Sequence, residues 1–532
     1  MLGTIIGLLG VLVALMGLKE GAIRNSFKKV GKFLDDFYSY IDFPRRILNR
    51  RINSQDFLSW QDAMLRKMYT DKDNEDKYFT TILGRTYPVY RLDFDEDYVF
   101  DNDCEFDNVD KLCTLPNENV DNYCTPQDRV VKIPDIYDTE IMNQNVATDA
   151  EAIEKEEALK KKLMRRYKWF TKRSMPDGNH IGYTLDHLEF DDNKKIKKIY
   201  LSIGDYKLTL LTSHIMTYEF YKAYHKLLKK KDDIYDVNLK ELWPMLPFRR
   251  YIDKANDFKV ENVLSKGLGR NALLSVQCLV ILCTEQTQKN IKYKCFLGKR
   301  SNSTRSVSTK LGCYQFPPSG GFDLYDVETG VTRDIIMENC SLSLALMREY
   351  LEEILGDERF KRVDVANGYG PLDAIRDVRE GFENIKNLLR TPLNNNRFKE
   401  NTTKAYFTTV GTNVDLIDLR LSVNFLLVIN DDQFYVDNRN TFKYNDELKE
   451  QNFLIKLLNK NKKERMLYSW SAIDDRLRNE RKIVEDSVAL YEQGKRAFRN
   501  YLDRVLVDKS CIGKILNDTI GDNFVNEESK KA

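Results

Sequence analysis

The stretch LLSVQCLVILC, residues 273–283, is apolar apart from Ser275 and Gln277. A run this dense is buried on both faces. It is too short to span a bilayer and short enough to be a central strand. IKYKCFLGKRS, residues 291–301, alternates and reads as a second strand. After a polar link, GCYQFPPSGGF (312–322) reads as a short strand broken by Pro317, Pro318 and two glycines. KAYFTTVG (404–411) and DLRLSVNFLLVIN (418–430) read as further strands, and QFYV from Gln433 as another. With a helix over 344–355 among them, residues 266–445 are expected to form an α+β domain with a mixed sheet and flanking helices.

A length of 532 residues suggests two to four domains for the whole chain. Residues 1–18, MLGTIIGLLGVLVALMGL, carry no charged side chain. As a helix they reach about 27 Å, close to the hydrocarbon thickness of a bilayer. Lys19, Arg24, Lys28, Lys29 and Lys32 follow the run and no basic side chain precedes it. The expectation is a single-pass anchor in the cell membrane, with the body of the protein cytoplasmic. Residues 19–70 read as basic juxtamembrane helices, interrupted at Pro44. Residues 71–150 read as an acidic, irregular, solvated segment; no glycine lies between 91 and 111, so a calcium loop does not fit. Residues 151–265 read as a mixed domain: a helix over 151–172, strands at 197–203 and 205–211, and a helix over 213–230. Charged helices fill 446–510, and a polar tail closes the chain at 511–532.

The net charge of +2 gives no electrostatic case for nucleic-acid binding, and none is expected. Nine cysteines without a CxxC pair argue against a zinc knuckle and suggest buried thiols in a reducing compartment.

Chemistry concentrates in LALMREYLEEILGDE, residues 344–358. At 100° per residue, Met347, Tyr350, Leu351 and Ile354 share an apolar face. Glu349, Glu352 and Glu353 share the opposite one, at i, i+3 and i+4. Like charges so close repel and cost helix stability. A divalent cation would turn that cost into affinity; a solvated acidic face is the plainer alternative. Arg348 can neutralise one carboxylate and orient it. Gly356 suits the left-handed residue that ends a helix.

These residues resemble the Nudix hydrolases. Their signature runs glycine, five residues, glutamate, seven residues, then Arg-Glu-aliphatic-any-Glu-Glu-any-Gly-aliphatic. Arg348, Glu349, Glu352 and Glu353 match its second half, and FPPSGGF resembles the Pro-Gly-Gly that opens it, with Gly321 as the first glycine. The closing glycine, Gly356, comes one residue late, and Tyr350 stands at an aliphatic position. The spacing from Gly321 to Arg348 exceeds the signature's, so the first-half glutamate falls near Glu328 counted forward or Glu338 counted back. The resemblance implies hydrolysis of a nucleoside diphosphate linked to another group. Glu349, Glu352 and Glu353 would hold Mg2+ or Mn2+, with Arg348 among the catalytic residues. Gly320, Gly321, Lys299 and Arg300 would meet the nucleotide-type small-molecule substrate. The base would be one of the glutamates, or a loop acid such as Asp431 or Asp432. The alternative is a non-catalytic nucleotide sensor or effector on the same fold, in a bacterial signalling or phage-defence system.

Overall fold

The computed structural model of the chain describes residues 54–70, 77–94, 110–117, 181–205, 209–287, 290–300, 312–324, 332–357, 371–442, 467–479 and 483–517. The anchor expected at 1–18, the basic stretch up to residue 53, most of the acidic stretch and the helix expected over 151–172 lie outside the described residues. Among the described residues no helix is long and apolar enough to cross a membrane.

The chain is α+β. Helix α1 (Gln55–Tyr69) leads to strands β1 (Thr80–Ile82), β2 (Arg85–Tyr87), β3 (Val89–Leu92), β4 (Cys113–Thr114), β5 (Ile181–Phe190) and β6 (Ile196–Asp205), then α2 (Ile215–Leu227). After short helices at Leu239–Leu242, Pro247–Ala255 and Val260–Ser265 come β7 (Ser275–Gln286), β8 (Ile291–Phe296), β9 (Gly298–Lys299), β10 (Tyr314–Gln315) and β11 (Ser319–Gly321). They are followed by α3 (Arg333–Asn339), α4 (Leu342–Glu353), α5 (Pro371–Gly381) and α6 (Glu383–Arg390). The C-terminal third holds β12 (Ala405–Asp415), β13 (Leu421–Ile429), α7 (Asp432–Asn438), β14 (Leu467–Tyr468), α8 (Trp470–Asn479), α9 (Glu485–Val505) and α10 (Ser510–Asn517).

The main sheet runs β14-β8-β7-β13-β12-β3, with β11 also on β7. It therefore takes strands from before residue 266 and after 445. β7 is central: β13 lies parallel along one edge, pairing Ser422 with Ser275 through Ile429 with Leu282. The other edge is shared. β11 takes its first residues, Ser319 opposite Gln277, and β8 takes its last, Ile281 opposite Cys295. Even-numbered residues Val276, Cys278, Val280 and Leu282 enter one core layer, with α4. Odd-numbered Leu279, Ile281 and Cys283 enter the other, with α8 and α9. That two-sided burial is the physical reason for the unbroken apolar run at 273–283.

A second sheet, β4-β6-β5, abuts the first at the base of β11. The Tyr183 N–H donates to Phe322 O and the Leu324 N–H to Ile181 O, both at 2.9 Å. The Tyr183 ring packs on Phe322, and its hydroxyl donates to Ile336 O on α3.

Several expectations are corrected. QFYV is helical: Asp431 accepts the Gln433 N–H and caps α7, which stops the strand at Ile429. Of the strand expected at 205–211, residues 206–208 lie outside the described residues and the ends are not a strand of their own. β6 ends at Asp205, and 210–214 form a π-turn into α2, where the Thr209 and Thr212 hydroxyls accept the Asn271 side-chain and backbone N–H groups. The tail expected from 511 begins as helix α10, whose Ile512 and Ile515 are buried. Asp110, expected to be solvated, accepts the Ser343 N–H at 2.9 Å and the Ser343 hydroxyl at 3.0 Å in the first turn of α4. The described cysteines are free thiols, and those at 278, 283 and 295 are buried.

Candidate functional site

α4 starts at Ser341, whose side chain accepts the Leu344 N–H. It ends as its sequence implies. Gly356 takes φ +64°, and the Asp357 N–H turns back to Leu351 O at 3.1 Å. The apolar residues Met347, Tyr350, Leu351 and Ile354 are buried, and Tyr350 packs edge-on against Phe382. The opposite side is not a solvated face. Arg348, Glu352 and Glu353 are also buried, and the Glu349 side chain keeps 13% exposure. Ordinary acidic helix faces do not do this, because burying a carboxylate is costly unless it is hydrogen-bonded or paired.

β11 is what the acids meet. A Cβ at Gly320 would collide with the carboxyl group of Glu349, so only glycine lets that group lie on the strand. One turn on, Glu353 Oε2 accepts the Ser319 N–H at 2.7 Å, and Oε1 accepts the Gln315 side-chain amide at 3.2 Å. Gly320 thus serves close approach in an extended strand rather than a turn.

Arg348 ties the arrangement down. Nη1 donates to Asp323 O at 3.1 Å. Nη2 donates to Gly321 O at 3.1 Å, to Asp323 Oδ1 at 2.5 Å and to Glu349 Oε1 at 3.2 Å. The acid that Arg348 grips is therefore Asp323, two residues past Gly321 and easily missed by counting along a fixed spacing. Glu328 lies outside the described residues. Glu338 projects from α3 with its side chain 53% exposed, 3.9 Å from Arg379.

Lys299 and Arg300 separate. β9 pairs with β10, Lys299 opposite Tyr314 and Gly298 opposite Gln315, so alternation puts Lys299 on the Tyr314 side and Arg300 on the Gln315 side. The contacts agree: the Lys299 ammonium lies 5.9 Å from the Tyr314 ring, which Arg476 covers from 4.3 Å, and Arg300 Nε donates to Gln315 Oε1. Arg300 belongs to the acid seam and Lys299 to a basic–aromatic cluster beyond it. Asp431 and Asp432 are remote. Asp432 accepts the Gln286 N–H at the far end of β7, nine residues or roughly 30 Å of strand from Gln277. Asp431 pairs with Lys404 at 2.7 Å.

Among the described residues no three His, Cys, Asp or Glu side chains converge as a metal cluster. The seam brings two carboxylates, Glu349 and Glu353, onto adjacent residues of one strand. Carboxylate oxygens are hard donors, each with two lone pairs. Mg2+ commonly takes one or two carboxylates and completes its shell with water and substrate phosphate. The donor set fits such an ion.

No protein-family model matches this chain, and no curated protein matches it.

Proposed function

We propose that the α4–β11 seam is the metal and phosphate site of a Nudix-type hydrolase, tethered to a membrane by residues 1–18. Its substrate class is a nucleoside diphosphate linked to another group. The observation that carries this reading is the pairing of helix acids with the glycine strand: Glu349 on Gly320 and Glu353 on Ser319. The mixed sheet supports it, with β13 parallel to β7 and β11 antiparallel to it. Glu349 and Glu353, with Glu352 beside them on the helix, would hold Mg2+ or Mn2+. When bound, the metal would offset phosphate charge and lower the pKa of a water. Arg348 holds Glu349 in place and locks Gly321 and Asp323 beneath it. In the reaction, water oxygen attacks phosphorus and the bridging P–O bond breaks.

The second reading is a non-catalytic nucleotide sensor. It is favoured by the engagement of Glu353 by two protein donors and of Glu349 by Arg348.

A thermal-shift screen of the full chain with Mg2+ and nucleotides tests the site, because a ligand of the folded state raises the midpoint. The double variant Glu352→Gln, Glu353→Gln should fold, lose the metal-dependent shift and lose diphosphate hydrolysis. Binding without turnover in the parent protein selects the sensor. A parent that responds to no combination of metal and nucleotide ends both readings.

A further inference from the structure

The Gln315 side chain is buried between two charged groups of the seam. Its Oε1 accepts from Arg300 Nε, and its Nε2 donates to Glu353 Oε1 at 3.2 Å. Arginine only donates and an ionised carboxylate only accepts, so one orientation of the amide serves both and the flipped one serves neither. Arg300 is fixed in turn by the β9–β10 hairpin, where its N–H donates to Cys313 O at 2.8 Å and its carbonyl accepts from Gly312 N at 2.9 Å. The result is a chain from a hairpin backbone, through a guanidinium and an amide, to one carboxylate oxygen.

We infer that Gln315 is a positioning residue for Glu353, and that Arg300 acts on the site through Gln315. The inference rests on the reading of the seam as a metal site. The other oxygen of Glu353 is held by the Ser319 N–H, a backbone contact that no side-chain change removes. Gln315 therefore sets the rotation of the carboxylate about its own axis, and so where its lone pairs point. Groups that orient a metal ligand change metal affinity without touching the ion. A purely structural glutamine would change stability and leave affinity alone.

Mn2+ binding to the full chain, measured by the loss of free-ion paramagnetic signal, separates these cases. Glu353→Gln should abolish binding. Gln315→Leu, similar in size but without either hydrogen bond, should weaken it about 10- to 100-fold, as removal of outer-sphere partners does elsewhere. Arg300→Gln should weaken it less, because the amide stays. Measurements belong well below each variant's unfolding midpoint, with Asn430→Ala, which loses buried hydrogen bonds to Tyr293 and Tyr501 at the far end of β7, as a destabilised control that keeps parental affinity. Parental affinity in Gln315→Leu alongside lost binding in Glu353→Gln overturns the inference and spares the site. A parent that binds no Mn2+ overturns both. Should Gln315→Leu not fold, Gln315→Met replaces it, and parental affinity there has the same meaning.

Discussion

Two of the places where the protein buries ionic groups are built on different plans. Behind the sheet, Lys495 on α9 lies 3.2 Å from Asp474 on α8, and the Tyr491 hydroxyl donates to the same carboxylate at 2.6 Å. The Lys495 ammonium also sits near the Trp470 and Tyr491 rings. One acid, one base and one hydroxyl satisfy each other among apolar neighbours. The α4–β11 seam instead sets Asp323 and Glu349 on Arg348, with Glu353 one turn on and Arg300 reaching it through an amide. It also sets two acids against strand backbone where glycine is required. The first cluster is a closed pair whose job is to hold α8 to α9. The second is acid-rich and reaches partly exposed surface at Asp323.

The largest expected effect tests the closed pair. Asp474→Ala leaves a buried lysine without its counter-ion and should cost about 3–5 kcal/mol in denaturant unfolding. It should leave Mn2+ binding at the seam unchanged. A loss below about 1 kcal/mol would mean the pair is solvated and the contrast false.

Gly320→Ala comes next. The new methyl meets the Glu349 carboxyl group, so strand or helix must shift. Overpacking of this kind typically costs about 1–3 kcal/mol. The sharper expectation is functional: metal-dependent stabilisation should fall far more than stability does. Equal stability and an unchanged metal response would show that Glu349 has no need of the strand.

Asp323→Asn is milder. It keeps the shape, removes a charge 28% exposed, and leaves Arg348 its two carbonyl acceptors. A loss of about 1 kcal/mol is expected for one weakened charged hydrogen bond, discounted for its exposure. A loss matching that of Asp474→Ala would make the seam as closed as the pair behind the sheet.

How far the sequence exposed this contrast depends on the range of the interactions. The strands at 275–286 and 421–429 were legible because a doubly buried strand must be apolar throughout. The end of α4 was legible because glycine alone favours φ +64° there. Periodicity put the three glutamates on one face but could not tell solvent from a strand, since that depends on β11 folding back along β7. Asp323 was missed because the Arg348 contact is made across space, not at a fixed spacing. Gln315 was missed because an amide in a short strand carries no pattern. Asp431 and Asp432 look catalytic by proximity to a strand end, yet they sit at the wrong end of β7, which only the parallel pairing with β13 decides. The buried Lys495–Asp474 pair left no signal either, since both residues sit in helices rich in exposed charge.

The smallest expected effect concerns pH and belongs to the closed pair alone. Burial pushes the Lys495 pKa below its ordinary value, with Asp474 opposing the shift. Below the folded-state pKa, folded and unfolded chains both hold the lysine proton, and stability does not change with pH on its account. Between that pKa and the ordinary lysine value near 10.5, the unfolded chain binds the proton and the folded chain has lost it. The unfolded state then binds more protons, so this group makes stability rise with pH across that window. Lys495→Met should remove that rise from the unfolding free energy measured in alkaline buffers, whatever its effect on absolute stability. The Glu352→Gln, Glu353→Gln variant should keep it, because it leaves Lys495 and Asp474 untouched. If Lys495→Met retains the parental slope, the ammonium is solvated, and the two clusters are not the opposites their geometry makes them.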